Sequence, residues 1–103
     1  MTTTNNSRIG GFRRNSRVRF LKGATAAFSR YADGNHEWTV HYPNGFGFVA
    51  VGDYQIRDMW EVHLIRQEGN SWVPVGRPKL MSDVARYRSE EGVCRVAEVI
   101  RSL

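Results

Sequence analysis

The stretch His36-Glu-Trp-Thr-Val-His-Tyr-Pro-Asn-Gly-Phe-Gly-Phe-Val-Ala-Val51 decides the fold, because its pattern predicts two strands joined by a tight turn. Apolar residues occupy every second position from Trp38 to Tyr42, which is typical of a strand with one buried and one wet face. Pro43-Asn44-Gly45 predicts the turn, since proline fixes φ at its first corner and Asn-Gly tolerates the left-handed conformation that closes it. The run from Phe46 onward is apolar on both faces, so we expect it at the centre of a sheet.

A second hairpin is predicted immediately before this stretch. Asp33-Gly34-Asn35 follows the run 25–32, and Asp-Gly between two strand-like runs is a strong hairpin signal. The alanine content of the run also permits a helix. Its β-branched and aromatic residues Thr25, Phe28 and Tyr31 favour a strand instead.

Residues 54–67 support two interpretations. Ile56, Met59, Trp60 and Leu64 fit a helical stripe, but the second half of the segment also alternates strictly between its two faces. The alternation predicts a strand over residues 59–66. Glu68-Gly69-Asn70 then predicts a third tight connection. The closing strand, residues 71–76, contains Pro74, which cannot donate to a ladder, and we therefore expect it at a sheet edge.

Helical periodicity begins after residue 79. Ser82 and Asp83 predict the start of a short helix that runs through Val84 and Tyr87. A longer helix is predicted from Ser89 to the end of the chain, because apolar residues then recur at steps of three and four, at Val93, Val96, Ala97, Ile100 and Leu103.

These elements predict an α+β fold: an antiparallel meander sheet of four to five strands with the C-terminal amphipathic helix packed on one face. We assign residues 17–103 to this single domain and Trp38, Phe48, Trp60 and Tyr87 to its core. Residues 1–16 precede it as a flexible, disordered basic N-terminal arm, because they carry too few sizeable apolar side chains to offset their ordering entropy. Arg17 to Leu21 is predicted to form a short first strand.

Positive charge is concentrated at the start of the chain. Residues 1–22 hold six basic residues and no acid, whereas residues 23–103 hold nine basic residues and all ten acids, a sum of −1, so the chain totals +5. The six are Arg8, Arg13, Arg14, Arg17, Arg19 and Lys22. A basic segment of this kind is a candidate contact for nucleic acid or for another polyanion.

The cysteine content indicates a reducing compartment. A lone Cys94 cannot form an internal disulfide, and small secreted domains are usually stapled by several, so we predict a cytoplasmic protein. The first residues lack the apolar core of a secretory signal, and no stretch approaches the ~18 apolar residues of a membrane span. The same acid-free start superficially resembles an organelle transit peptide, but Gly10-Gly11 gives it poor amphipathic helix potential.

Catalytic and metal-binding patterns are weak in this sequence. Cys94 lies at the border of an apolar helical stripe, which favours a structural thiol over a nucleophile. His41 shares a strand face with Glu37, and His63 with Glu61, but no metal-ligand spacing connects the two pairs. Glycines lack the context of a phosphate-binding loop. We therefore predict a protein that is not an enzyme and uses no cofactor or metal.

The predicted function is a small non-catalytic binding module that contacts nucleic acid or another polyanion. Its contact residues are predicted to be Arg13, Arg14, Arg17, Arg19 and Lys22, since guanidinium groups fork onto phosphate oxygens. A basic tail that only aids solubility is the simpler interpretation. The alternative function is a protein–protein interaction module, an adaptor, inhibitor or assembly subunit, which uses exposed aromatic residues such as Trp72 and a sheet edge.

Overall fold

The computed structural model of the protein describes residues 8–53, 59–75 and 87–103. Its helices are α1 (Arg14–Leu21) and α2 (Glu90–Arg101). Its strands are β1 (Arg8–Ile9), β2 (Phe12–Arg13), β3 (Thr25–Arg30), β4 (Asn35–His41), β5 (Phe46–Asp53), β6 (Trp60–Glu68), β7 (Ser71–Pro74) and β8 (Tyr87–Arg88).

The main sheet is an antiparallel meander in which β3, β4, β5, β6 and β7 are neighbours in that order, and β8 pairs with the start of β6. The three predicted hairpin connections are confirmed, and so is the predicted position of the Pro74 strand at a sheet edge. Residues 60–68 form a strand rather than a helix, so the alternating pattern was the correct guide. The predicted α+β fold class is confirmed for the sheet and the C-terminal helix.

The core lies between the sheet and the two helices. Alternate residues of β4 are buried, and the buried rings of Trp38, Phe48 and Trp60 confirm three of the four core assignments. Helix α2 covers them with its apolar stripe, of which Val93, Ala97 and Ile100 are fully buried. The buried face of β4 therefore packs toward the apolar face of α2, as amphipathic elements require.

Helix α2 begins where its sequence signals indicate. The hydroxyl of Ser89 accepts a hydrogen bond from the backbone N–H of Gly92 at 3.0 Å, and two glutamates occupy the first turn. The short helix predicted upstream, over Ser82 to Val84, lies outside the described residues. Its predicted last residue, Tyr87, belongs to strand β8, and the Tyr87 side chain assigned to the core also lies outside the description.

The N-terminal segment differs most from its prediction. The short strand expected over Arg17 to Leu21 is wrong, because this stretch lies in helix α1. Residues 1–7 of the predicted flexible arm lie outside the described residues, whereas residues 8–16 form β1, β2 and the first turn of α1. The segment is ordered because two of its aromatic side chains are buried. Phe12 and Phe20 are both 0% exposed, with ring centroids 4.8 Å apart. One buried ring before α1 and one within it therefore pack the segment against the sheet.

The turn between β1 and β2 needs both of its glycines, for two reasons. Gly10 and Gly11 have φ values of 60° and 87°, as a two-residue hairpin turn requires. They also lie directly against the core, since a Cβ on Gly11 would come within 2.4 Å of the Trp60 ring. The carbonyl of Gly10 accepts the indole N–H of Trp38 at 2.9 Å. This glycine pair is therefore a packing element of the domain.

Candidate functional site

Helix α1 carries most of the predicted contact residues, and α2 fixes its start. The carboxylate of Glu90 accepts hydrogen bonds from the backbone N–H of Arg13 at 2.8 Å and from the hydroxyl of Ser16 at 2.6 Å. The thiol of Cys94 lies 3.6 Å from the carbonyl oxygen of Ser16. Glu90 is only 7% exposed, so α1 begins on a buried acceptor that sequence reasoning did not identify.

The other end of α1 is fixed by two side chains from outside the helix. The hydroxyl of Tyr42 donates to the carbonyl of Phe20 at 2.6 Å, and the guanidinium of Arg101 donates to the carbonyl of Arg19 at 2.9 Å. Burial raises the pKa of Tyr42 to about 12. The amide of Asn44 donates to the carbonyl of Ile100 at 2.9 Å at the adjacent end of α2. Two carbonyls near the C-terminal end of α1 and one near the end of α2 therefore have side-chain donors.

Two of the five predicted contact residues hold the domain together. The guanidinium of Arg19 contacts the carboxylates of Glu91 at 2.7 Å and Glu98 at 3.3 Å, and the hydrogen bond that Arg19 donates to Glu91 raises the pKa of Arg19. Arg17 donates to the carbonyl of Phe12 at 2.6 Å. Both side chains are half-buried, so their first role is to attach α1 to its neighbours.

The other three predicted residues project outward. Arg13, Arg14 and Lys22 are exposed, and among the described residues none of them forms an ion pair. Arg14 and Val18 lie four residues apart on one face of α1, and Lys22, the residue after the helix, continues this spacing over about 12 Å. Val18 is 63% exposed. We call Arg13, Arg14, Val18 and Lys22 the α1 stripe.

Open depressions lie at both ends of the α1 stripe. The first has a volume of about 510 Å³ and is polar, being lined by Arg13, Asn15, Ser16, Arg19 and Glu91. The second has a volume of about 370 Å³ and is lined by Lys22, Gly23, Tyr42, Pro43, Asn44 and Arg101. The first depression therefore presents Arg13, and the second presents Lys22, to a ligand that lies along the helix.

The face of the sheet opposite the helices has a different charge. By strand alternation it presents Glu37, His41, Glu61 and His63, and no lysine or arginine among the described strands. The partner-binding residue predicted from sequence, Trp72, stands on this face and stacks on His41, with ring centroids 3.8 Å apart and planes 2° apart. Trp72 is half-buried in this stack. The cations of the described strands therefore lie on the helical side of the sheet.

Candidate catalytic groups do not converge in the described part of the chain. Cys94 is fully buried, and burial raises the pKa of its thiol. The imidazole Nε2 of His63 lies 3.5 Å from a carboxylate oxygen of Glu61, and no group of three or more potential metal ligands is found among residues 8–53, 59–75 and 87–103. The predictions on catalysis and metals remain predictions.

None of the described helices is long and apolar enough to cross a membrane. No protein-family model, no curated protein and no solved structure matches the chain.

Proposed function

We propose that this protein is a small non-catalytic binding module that contacts nucleic acid or another polyanion through the α1 stripe. One observation carries the proposal: Arg13, Arg14 and Lys22 are exposed and lack ion-pair partners within the described residues, although three glutamates of α2 lie close to the same helix. Those glutamates are occupied, since Glu91 and Glu98 bind Arg19 and Glu90 caps α1. The outward cations therefore keep their charge for a ligand.

The contact surface is narrower than the sequence predicted. Arg17 and Arg19 bond to Phe12 and Glu91 within the domain. The proposed ligand contacts are therefore Arg13, Arg14 and Lys22. Arginine forks onto phosphate oxygens, and lysine acts as a point charge. Over about 12 Å the stripe is long enough to reach several phosphates of one nucleic-acid strand. Contacts of this kind position a protein on the backbone and carry little sequence information.

Fluorescence anisotropy with labelled duplex and single-stranded oligonucleotides tests the proposal. The wild-type protein should bind at low salt, and the logarithm of its affinity should fall linearly with the logarithm of salt concentration. The double substitution Arg14→Ala with Lys22→Ala should weaken binding and reduce the slope on duplex DNA by about 2, since each phosphate contact contributes roughly 0.9.

Arg30→Ala with Arg66→Ala is the matched control. Both side chains are exposed and lie on strands of the sheet, so this variant loses the same net charge away from α1. It should bind with nearly the wild-type slope. Absence of binding by the wild type at low salt, or an equal loss in both double variants, would refute a contact through the α1 stripe.

The alternative, a protein–protein interaction module anchored by Trp72, has less support. The Trp72 ring already stacks on His41, so one of its faces is covered within the chain. A cytoplasmic location, which the lone Cys94 predicts, remains a prediction as well.

A further inference from the structure

Strand β3 is an open edge of the sheet. All its residues except the half-buried Phe28 are exposed, and no described strand pairs with its outer side. It pairs residue for residue with β4 from Thr25 to Arg30, so it contains no bulge, and it has no proline and no charge before Arg30. Natural sheets usually protect an edge with such devices. The opposite edge has one, because β7 is only four residues long and ends at Pro74.

The hydrogen-bond phase shows which backbone groups of β3 face outward. The backbone N–H of Tyr31 donates to the carbonyl of Asn35 at 2.9 Å, which places this pair at a hydrogen-bonded position of the hairpin. Bonding alternates along an antiparallel ladder, so Thr25, Ala27 and Ser29 bond to β4. The N–H and carbonyl groups of the intervening residues, Ala26, Phe28 and Arg30, therefore point away from the sheet.

The aromatic layer under the sheet ends at this edge, and no described strand covers it there. The Phe28 ring lies 4.9 Å from the Trp38 ring and 5.4 Å from the His36 ring, centroid to centroid. The guanidinium carbon of Arg30 lies 5.8 Å from the centroid of Phe28. Phe28 thus belongs to the core layer on one side and is open on the other, where a neighbouring strand would bury it.

We propose that a second copy of this chain occupies the edge, with the two β3 strands pairing antiparallel about a two-fold axis at Phe28. In this register Phe28 lies opposite Phe28 of the other copy, and Ala26 lies opposite Arg30. All three outward-facing residues then find partners, and each directly opposed pair exchanges two hydrogen bonds. An isologous contact of this kind joins two five-stranded meanders into one continuous sheet.

Charge placement supports a second copy as the occupant. The only charged residue of β3 is Arg30, and the proposed register separates the two Arg30 residues by four positions along the ladder, about 14 Å. This exceeds the screening length of about 8 Å at physiological salt, so the cations do not oppose the contact. The outward face pairs Ala27 with Ser29, two small side chains that allow close approach.

Sedimentation or light scattering over a range of concentrations tests the dimer with the intact chain. The wild type should approach twice the 11.8 kDa of the single chain as concentration rises. Ala26→Pro should remain at the mass of one chain, because it removes an outward N–H and places the proline ring at the contact while leaving the bonds to β4 intact. Ala26→Ser keeps the N–H and should dimerise like the wild type.

Charge variants at the same position test the register independently. Ala26→Lys places an ammonium opposite Arg30 of the other copy twice per dimer and should weaken dimerisation about tenfold. Ala26→Glu places a carboxylate there and should retain or strengthen the dimer. If Ala26→Pro fails to fold by circular dichroism, this pair decides the question. A wild type that stays monomeric, a folded Ala26→Pro that dimerises, or equal effects of Lys and Glu each overturn the proposal; in the first case the edge is left to a strand of a different protein.

Discussion

The carboxylate of Glu90 caps helix α1 by accepting the backbone N–H of Arg13 at 2.8 Å, across 77 positions of sequence. The same residue lies in the first turn of α2, where a negative charge is favourable. One buried carboxylate therefore serves the starts of two helices. This contact sets where the basic segment stops being a hairpin and becomes a helix, and so it determines which cations face outward.

Substitution of Glu90 should destabilise the domain more than substitution of an exposed glutamate nearby. Glu90→Gln keeps the shape but weakens the bonds to Arg13 and Ser16, and we expect a loss of about 1–3 kcal/mol in the free energy of unfolding. Glu98→Gln, which affects an exposed pair with Arg19, should cost less than about 1 kcal/mol. Urea unfolding of both variants measures the difference. Equal losses would show that the cap contributes nothing beyond a surface charge.

Alanine substitutions at two glycines with left-handed φ distinguish the cost of backbone strain from the cost of a steric clash. Gly23 has φ +71° and open space around it, so Gly23→Ala should cost only the left-handed penalty of about 1–2 kcal/mol. Gly11 has φ +87°, and its added Cβ would meet the Trp60 ring at 2.4 Å, so Gly11→Ala should cost clearly more. Thermal unfolding of the two variants tests this. A similar melting temperature for both would mean that the hairpin does not pack tightly on Trp60.

The sheet and α2 could be predicted because their patterns are local. Trp38 and Val40 repeat every second residue and Val93, Ala97 and Ile100 repeat at helical steps, and each pattern names both an element and its buried face. The turns followed for the same reason, since their glycines and prolines lie between the strands that they connect.

The N-terminal segment could not be predicted in this way. Helix α1 buries a single large residue, Phe20, so its pattern carries no helical period, and its alternation with Val18 imitates a strand. Gly10-Gly11 is typical of a flexible segment, yet its function here is contact with tryptophan rings that lie far away in sequence. The candidate site has the same limit. The sequence groups its cations by their position in the chain, but only the positions of Glu91 and Glu98 in the fold show that Arg19 is paired.

The stack of His41 on Trp72 should make stability depend on pH. Burial lowers the pKa of His41, and its Nε2 is buried without a hydrogen-bond partner in the described structure, so the fold favours the neutral imidazole. As pH falls below 6.5, the unfolded chain binds this proton before the folded chain does, and the free energy of unfolding decreases. His41→Gln should reduce this decrease relative to the wild type. Unfolding curves between pH 7.5 and pH 5 measure the slope, and an unchanged slope in His41→Gln would contradict the assignment.

Tyr42 should ionise well above the ordinary tyrosine pKa of 10, and its ionisation should remove one hydrogen bond that holds α1. Its hydroxyl donates to the carbonyl of Phe20 at 2.6 Å, and burial raises its pKa to about 12. Because the folded pKa exceeds the unfolded value of 10, the contribution of Tyr42 to stability is complete below pH 10 and is lost as pH rises toward 12. Ultraviolet titration of the native protein should show a late phenolate step that Tyr42→Phe removes. The variant should also lose about 0.5–1.5 kcal/mol of stability at pH 7, the contribution of one hydrogen bond. A late step that persists in Tyr42→Phe would assign it to another of the four tyrosines and would leave the C-terminal end of α1 without the proposed link to the sheet.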